Sequence, residues 1–223
     1  MKLSQSQIQY LDNYVQKSGI KWFDLKIELT DHMIGKTEEI LTRIPDLDFE
    51  EAVKKAKLTF GSKGFRPIIL EKTKQIERQF YKDVFMHFKS FFTIPKIIIT
   101  VLITLFLFGL YPRLMDKDLF FTSLIGVLFI CAILFFFNAY KRKKLKNNLS
   151  LTLSHMLQFS TLINSMAIFL NFAYSIFKND LVKGNNYVFF ISIWLVMFLI
   201  ALSIENVSKK IYANQKRMYY KYL

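Results

Sequence analysis

The sequence predicts an all-α protein, with a small N-terminal helical domain followed by a four-helix transmembrane bundle. Three observations predict it. The 223 residues are 52% hydrophobic, with 24 Phe but only 7 Gly and 4 Pro, which is too apolar for an ordinary soluble domain. Charge is unevenly spread: residues 1–92 hold 16 of the 31 Lys/Arg and 13 of the 17 Asp/Glu, while the remainder holds 15 basic and 4 acidic residues between long apolar runs. Those runs occur four times, each near the roughly twenty residues that cross hydrocarbon.

The N-terminal domain, residues 1–66, carries start and stop signals for three helices. "SQSQIQYLDNYVQKSG" opens with Ser4 and Gln7 in capping-box spacing and closes at Gly19, with Ile8, Leu11 and Tyr14 or Val15 on one face. A second helix runs from about Lys21 to Thr42 and stops before Pro45; Leu29, Met33, Ile34, Ile40 and Leu41 supply its apolar residues. "DFEEAVKKAKLTFG" follows, with Asp48 as N-cap, Glu51 three residues on, and Gly61 just past the end. Phe49, Ala52, Val53, Ala56 and Phe60 form its buried stripe.

Residues 67–93 read as a basic amphipathic juxtamembrane helix. Ile76, Phe80, Val84, Phe88 and Phe91 recur every three or four residues, and Lys72, Lys74, Arg78, Lys82 and Lys89 occupy other faces. Such a helix packs on protein, lies on anionic headgroups, or does both; Tyr81 to Phe92 are assigned to the interface. The transmembrane region, 94–204, has spans at about 94–111, 119–139, 155–177 and 186–204. Lys96 can snorkel, and Pro95 stands in the first turn, where a missing N–H costs little. A basic tail, 205–223, mixes five Lys/Arg with four Tyr, a composition suited to anionic lipid; on a helix Ile204, Val207, Ile211, Met218 and Tyr222 favour one side.

Loop charges orient the spans. Lys141, Arg142, Lys143, Lys144 and Lys146 lie between spans 2 and 3, and Lys209, Lys210, Lys216, Arg217 and Lys221 follow span 4. The alternate loops hold two basic residues each, Arg113 with Lys117 and Lys178 with Lys183, beside acidic ones. The positive-inside rule then expects both termini in the cytoplasm of a multi-pass cytoplasmic-membrane protein. No apolar stretch occupies the N-terminus, so no cleavable signal peptide is expected. The single cysteine, Cys131, lies in an apolar run and excludes an intramolecular disulfide.

The order Glu28-Leu29-x-Asp31-His32, then Glu38-Glu39, then Phe49-x-Glu51-Ala52-x-x-x-Ala56-x-x-x-Phe60-Gly61 resembles the HAAS-type cytoplasmic helical domain of bacterial membrane proteins. The match covers about residues 20–61. The whole arrangement is similar to small multi-pass proteins of the bacterial cytoplasmic (inner) membrane. The resemblance implies a signalling or regulatory protein, often encoded beside PadR-type transcription regulators, and implies no enzyme activity. The four-span part matches no motif of a named family.

Two constellations could carry chemistry. Glu28 and His32, four apart, can meet on one helix face, with Asp31 to one side. A metal site needs more ligands, and the only other histidines, His87 and His155, fall near the membrane, so Glu28, Asp31 and His32 are expected to fix contacts between helices. In span 3, Ser160, Asn164, Ala167, Asn171 and Ser175 form a polar stripe, expected to pack against helices or to line a cavity. No Asp, Glu, Lys or Arg lies deep in a span, which argues against a proton-coupled pump; Glu205 is expected at the cytoplasmic edge of span 4, where a charge costs little. No G-x-x-x-x-G-K-[ST], G-x-S-x-G, H-E-x-x-H or C-x-x-C occurs.

The expectation is therefore a non-enzymatic membrane protein without cofactors. Its partners are the bilayer, anionic headgroups and a cytosolic protein or a second copy; nucleic acid is not expected, because no binding motif accompanies the +14 net charge. The alternative is an oligomeric channel or a membrane-permeabilising accessory of a bacterial defence system, in which several copies line a pore with the span 3 stripe. A membrane enzyme ranks third.

Overall fold

The computed structural model describes residues 2–20, 22–61, 64–144, 151–183 and 186–218, without the side chains of 142–144, 153–158, 160 and 180–183. The second helix's expected start at Lys21, the charges expected at Arg142 to Lys146, Lys183 and Lys221, and the side chains of His155 and Tyr222 lie outside the described residues. Among the described residues every regular element is helical. The chain divides into two compact units, Met1–Glu77 with Lys146–Ser154, and Arg78–Leu145 with His155–Leu223.

The first unit contains α1 (Gln5–Lys17), α2 (Phe23–Arg43), α3 (Phe49–Leu58) and the start of α4 (Arg66–Lys89). The capping box forms as read: Gln7 N donates to Ser4 Oγ at 3.3 Å and Ser4 N donates to Gln7 Oε1 at 2.9 Å. Asp48 caps α3 by accepting from Glu50 N at 3.0 Å. α2 begins at Phe23 and ends at Arg43, where Ile44 turns extended ahead of Pro45. Gly19 and Gly61 follow their helices at φ +84° and +72°, a region that side chains rarely adopt. α2 lies against both α1 and α3. Leu11, Val15, Leu25, Leu29, Met33, Ala52, Val53 and Ala56 make the core, and Phe65, Ile68 and Ile69 pack on it. Ile34, Ile40, Phe49 and Phe60 are half-buried. Asp24 accepts from Leu151 N through both carboxylate oxygens at 3.2 Å.

The second unit holds the rest of α4, then α5 (Lys96–Leu110), α6 (Lys117–Lys144), α7 (Leu151–Lys183) from His155 onward, and α8 (Tyr187–Met218). Three of these, at Lys96–Arg113, Lys117–Lys141 and Tyr187–Met218, are long and apolar enough to cross a membrane. Their side chains show that the helices alternate in direction. The end of α5 meets the start of α8, where Tyr111 stacks on Tyr187 at 4.2 Å, and Phe121 near the start of α6 packs on Phe190 at 5.0 Å and Tyr174 at 5.5 Å. Trp194 Nε1 donates to the Leu124 carbonyl at 2.6 Å, satisfying a buried indole.

Phe80 and Val84 of α4 are buried in this second unit with Ala132, Phe159, Ile163, Ala201, Ile204 and Val207. The Phe80 ring stacks on Phe159 with centroids 3.6 Å apart and planes 6° from parallel. Tyr81, Phe85 and Phe92 stay exposed. α8 runs unbroken into the tail: Ile204 and Val207 are buried and Ile211 packs beside them, but Met218 is 60% exposed and does not join that side. A helix of 32 residues, at about 1.5 Å each, exceeds the roughly 30 Å hydrocarbon thickness, so its end projects from any bilayer it spans.

Truncating Phe80 to Ala should destabilise the second unit by about 3 to 5 kcal/mol, because its ring is fully buried against Phe159. The same change at exposed Tyr81 should cost less than about 1 kcal/mol. Thermal unfolding of the detergent-solubilised protein compares the two, and equal shifts would contradict the packing described.

Candidate functional site

α2 contacts its neighbours with one side and leaves the other open. Of the carboxylates in its signature, Glu28 pairs with Lys72 Nζ at 2.8 Å, and Glu38 Oε1 accepts from Leu3 N at 2.9 Å. Glu39 is held by Lys36 at 2.9 Å and Arg43 at 2.6 Å; Lys36 first and Arg43 second keep its carboxyl below the usual range. Glu28 joins α2 to α4 and Glu38 joins it to the N-terminal segment, whereas Glu39 is paired within α2 itself. Asp31 and His32 depart from the expectation: both are exposed, and neither has a polar partner among the described residues. The reason is angular, since Leu29, Met33 and Thr37 point into the core and the turn beside them carries Asp31 and His32 outward. Among the described residues no three His, Cys, Asp or Glu side chains converge as metal ligands would. Phe49, Ala52, Phe60 and Gly61 serve packing and termination: Phe49 lies edge-on to Tyr10 at 5.5 Å, Ala52 is fully buried, and Phe60 lies edge-on to Phe65 at 5.0 Å.

Gly35 stands on the same open face, with Ile27, Asp31, His32 and Lys36 exposed around it. A methyl group there would meet nothing within 4 Å. A glycine inside a helix costs about 1 kcal/mol relative to alanine, and no packing requirement inside this unit explains it.

The α7 stripe divides. Ala167 is fully buried, beside Ile163 and Leu170, whereas Asn164, Asn171 and Ser175 are exposed; the Ser160 side chain lies outside the described residues. Steps of four outnumber steps of three along that set, so it drifts around a helix of about 3.6 residues per turn and straddles the edge of the buried face.

The polar groups that the second unit does bury are others. Glu205 is only 6% exposed and accepts from Asn138 Nδ2 at 3.4 Å with Lys209 Nζ 3.6 Å away. His87 Nδ1 lies 3.2 Å from Ser203 Oγ. Ser203 Oγ also lies 2.8 Å from the Leu199 carbonyl, to which it donates, so a proton on His87 Nδ1 would complement it. A cleft of about 270 Å³ lined by Asp83, Lys210, Asn206 and Asn214 reaches the same ring. At the other end of α6, Asp118 accepts from Tyr174 Oη at 3.0 Å and pairs with Lys178 at 2.6 Å. No local spacing announces the pairings of Glu205 with Asn138, His87 with Ser203, or Asp118 with Tyr174 and Lys178, because each joins residues more than fifty positions apart; lone polar residues at the ends of apolar runs are the signal the sequence carries.

Comparisons with known proteins find no match for this chain among family models, curated proteins or solved structures.

Burial, and then the Lys96 charge, push the His87 pKa below its ordinary 6.5. The fold therefore favours neutral imidazole, and the unfolded chain binds the proton more tightly. His87 contributes full stability above about pH 6.5, and that contribution is lost as pH falls towards the folded-state value. Melting measured at pH 7.5 and 5.5 should fall more for the native protein than for His87→Gln; identical pH dependence would remove His87 from this role.

Proposed function

We propose that this chain is a regulatory multi-pass protein of a bacterial cytoplasmic membrane, without enzyme activity. Its N-terminal helical unit docks a cytosolic protein, or the same unit of a neighbouring copy, through the open face of α2. The observation that carries this reading is the unpaired Asp31 and His32 beside the interior glycine at 35. Unpaired charge and a bare backbone on an otherwise fastened helix suit close approach by a partner, with hydrogen bonds at its rim. The HAAS-like order of blocks supports the same reading, since that resemblance implies signalling. Four spans with both termini cytoplasmic complete the proposal, α7 being the fourth beside the three apolar helices. Exposed Lys74, Arg78, Lys82 and Lys89 on α4 are available to anionic headgroups. The exposed amides of α7 favour a second reading, in which several copies surround a conduction path.

A photo-crosslinking residue at position 32 of the full chain, expressed in cells, tests the docking face. It should give one discrete adduct, lost on Gly35→Leu, while the same probe at exposed Lys54 of α3 gives none. Gly35→Ala alone should raise melting by the equivalent of about 0.5 to 1 kcal/mol, showing that any lost adduct is not a folding defect. Equal adducts at 32 and 54, or none at 32, would contradict the proposal.

A further inference from the structure

The exposed surface of α7 has two unlike sides. One presents Phe169, Phe172 and Ile176, at 58, 63 and 57% exposure. The other presents Thr161, Asn164, Ile168, Asn171 and Ser175, all exposed, at steps of three, four, three and four. That is the heptad spacing by which one helix packs along another. This seam differs from the stripe visible in the sequence, because buried Ala167 drops out and Ile168, 53% exposed, takes its place. The first side suits lipid tails. The second does not, for a reason visible in its neighbours. Ser165 donates its hydroxyl to the Thr161 carbonyl at 3.1 Å, as serine in an apolar helix can. Asn164 and Asn171 make no hydrogen bond among the described residues.

We infer that this seam of α7 binds the same seam of a second copy of the chain. The inference rests on the proposed reading of α7 as a membrane span. An amide carries both a donor and an acceptor, so it can pair with its own twin. Two copies inserted with the same orientation are related by an axis along the membrane normal. That axis sets the α7 helices side by side and parallel, with Asn164 facing Asn164, Ile168 facing Ile168 and Asn171 facing Asn171 of the other copy. Every layer then matches itself, and the two asparagine layers fix the register, as a polar residue in a heptad core does. Hydrogen bonds between helices are a recognised source of association in lipid, where apolar burial drives nothing.

The test uses the full chain in native membranes with Cys131 replaced by Ala and single cysteines introduced at 164, 168, 171, 169 or 176. Oxidation should give disulfide-linked dimers at 164, 168 and 171 and little at 169 or 176. In a background without added cysteines, Asn164→Leu with Asn171→Leu should weaken dimerisation in detergent by roughly threefold to tenfold per asparagine while melting is retained. The same cysteines are also treated with a membrane-impermeant maleimide. Absence of both crosslinks and labelling would overturn the seam and leave the span intact. Labelling at every one of these positions would overturn the seam and the span together, and labelling of 164, 168 and 171 alone would overturn the packed seam in favour of a water-lined path.

Discussion

α5 shows what the second unit is built to live in. Only 6% of its membrane-length stretch is buried, and Ile98, Ile99, Leu102, Leu105 and Phe106 are all more than half exposed. Hydrocarbon accepts such a surface more readily than water does, and the proposed membrane setting rests on it. In hydrocarbon each backbone N–H and C=O must be satisfied within its own segment, which leaves helices. Hydroxyls must be satisfied too, and here they turn back on their own helices: Thr100 on Lys96, Thr104 on Thr100, Thr122 on Asp118, Ser123 on Leu119 and Ser192 on Val188. Against that regularity the asparagines of α7 stand out, because a longer amide is less readily absorbed by the backbone behind it.

The charged groups of this unit are sorted to its two ends. Asp118, Tyr174 and Lys178 gather at one end of α6, and Asn138, Glu205 and Lys209 at the other. Asp118 and Asn138 are separated along α6 by about 30 Å at 1.5 Å per residue, close to the hydrocarbon thickness. Between them, the core shared by the helices among the described residues is aromatic and aliphatic, and the indole N–H of Trp194 within it is spent on the Leu124 carbonyl. A carboxylate such as Glu205 can be buried at the edge because donors from α6 and its own helix reach it there.

Local features of the sequence were legible because local rules govern them. Ser4 with Gln7, Asp48, Pro45 and Gly61 mark helix ends through bonds spanning four residues or fewer. The spacing of Leu29, Met33, Ala52 and Ala56 gives the core of the first unit, and apolar length gives α5, α6 and α8. What escaped depends on distant pairings. Phe80 was legible as apolar but not as the partner of Phe159, and the burial of Glu205 was not legible because Asn138 lies 67 positions away. His32 and Asp31 looked like contact residues because their spacing from Glu28 is helical, yet the helix rotation fixed by Leu29 and Met33 carries them outward. Ala167 and Ile168 exchange places in the α7 seam for the same reason: only the packed face decides which of two adjacent residues points out.

Single-cysteine labelling tests the claim that hydrocarbon is the solvent of these helices, and with it the alternation of direction. In a chain with Cys131 replaced by Ala, one cysteine is placed at Met115, fully exposed between α5 and α6, and in a second variant at Lys216 near the end of α8. Treated with an impermeant maleimide in intact cells, Met115→Cys should label at once, and Lys216→Cys only after the membrane is opened. Labelling of both positions in intact cells, or of Lys216→Cys alone, would contradict the account.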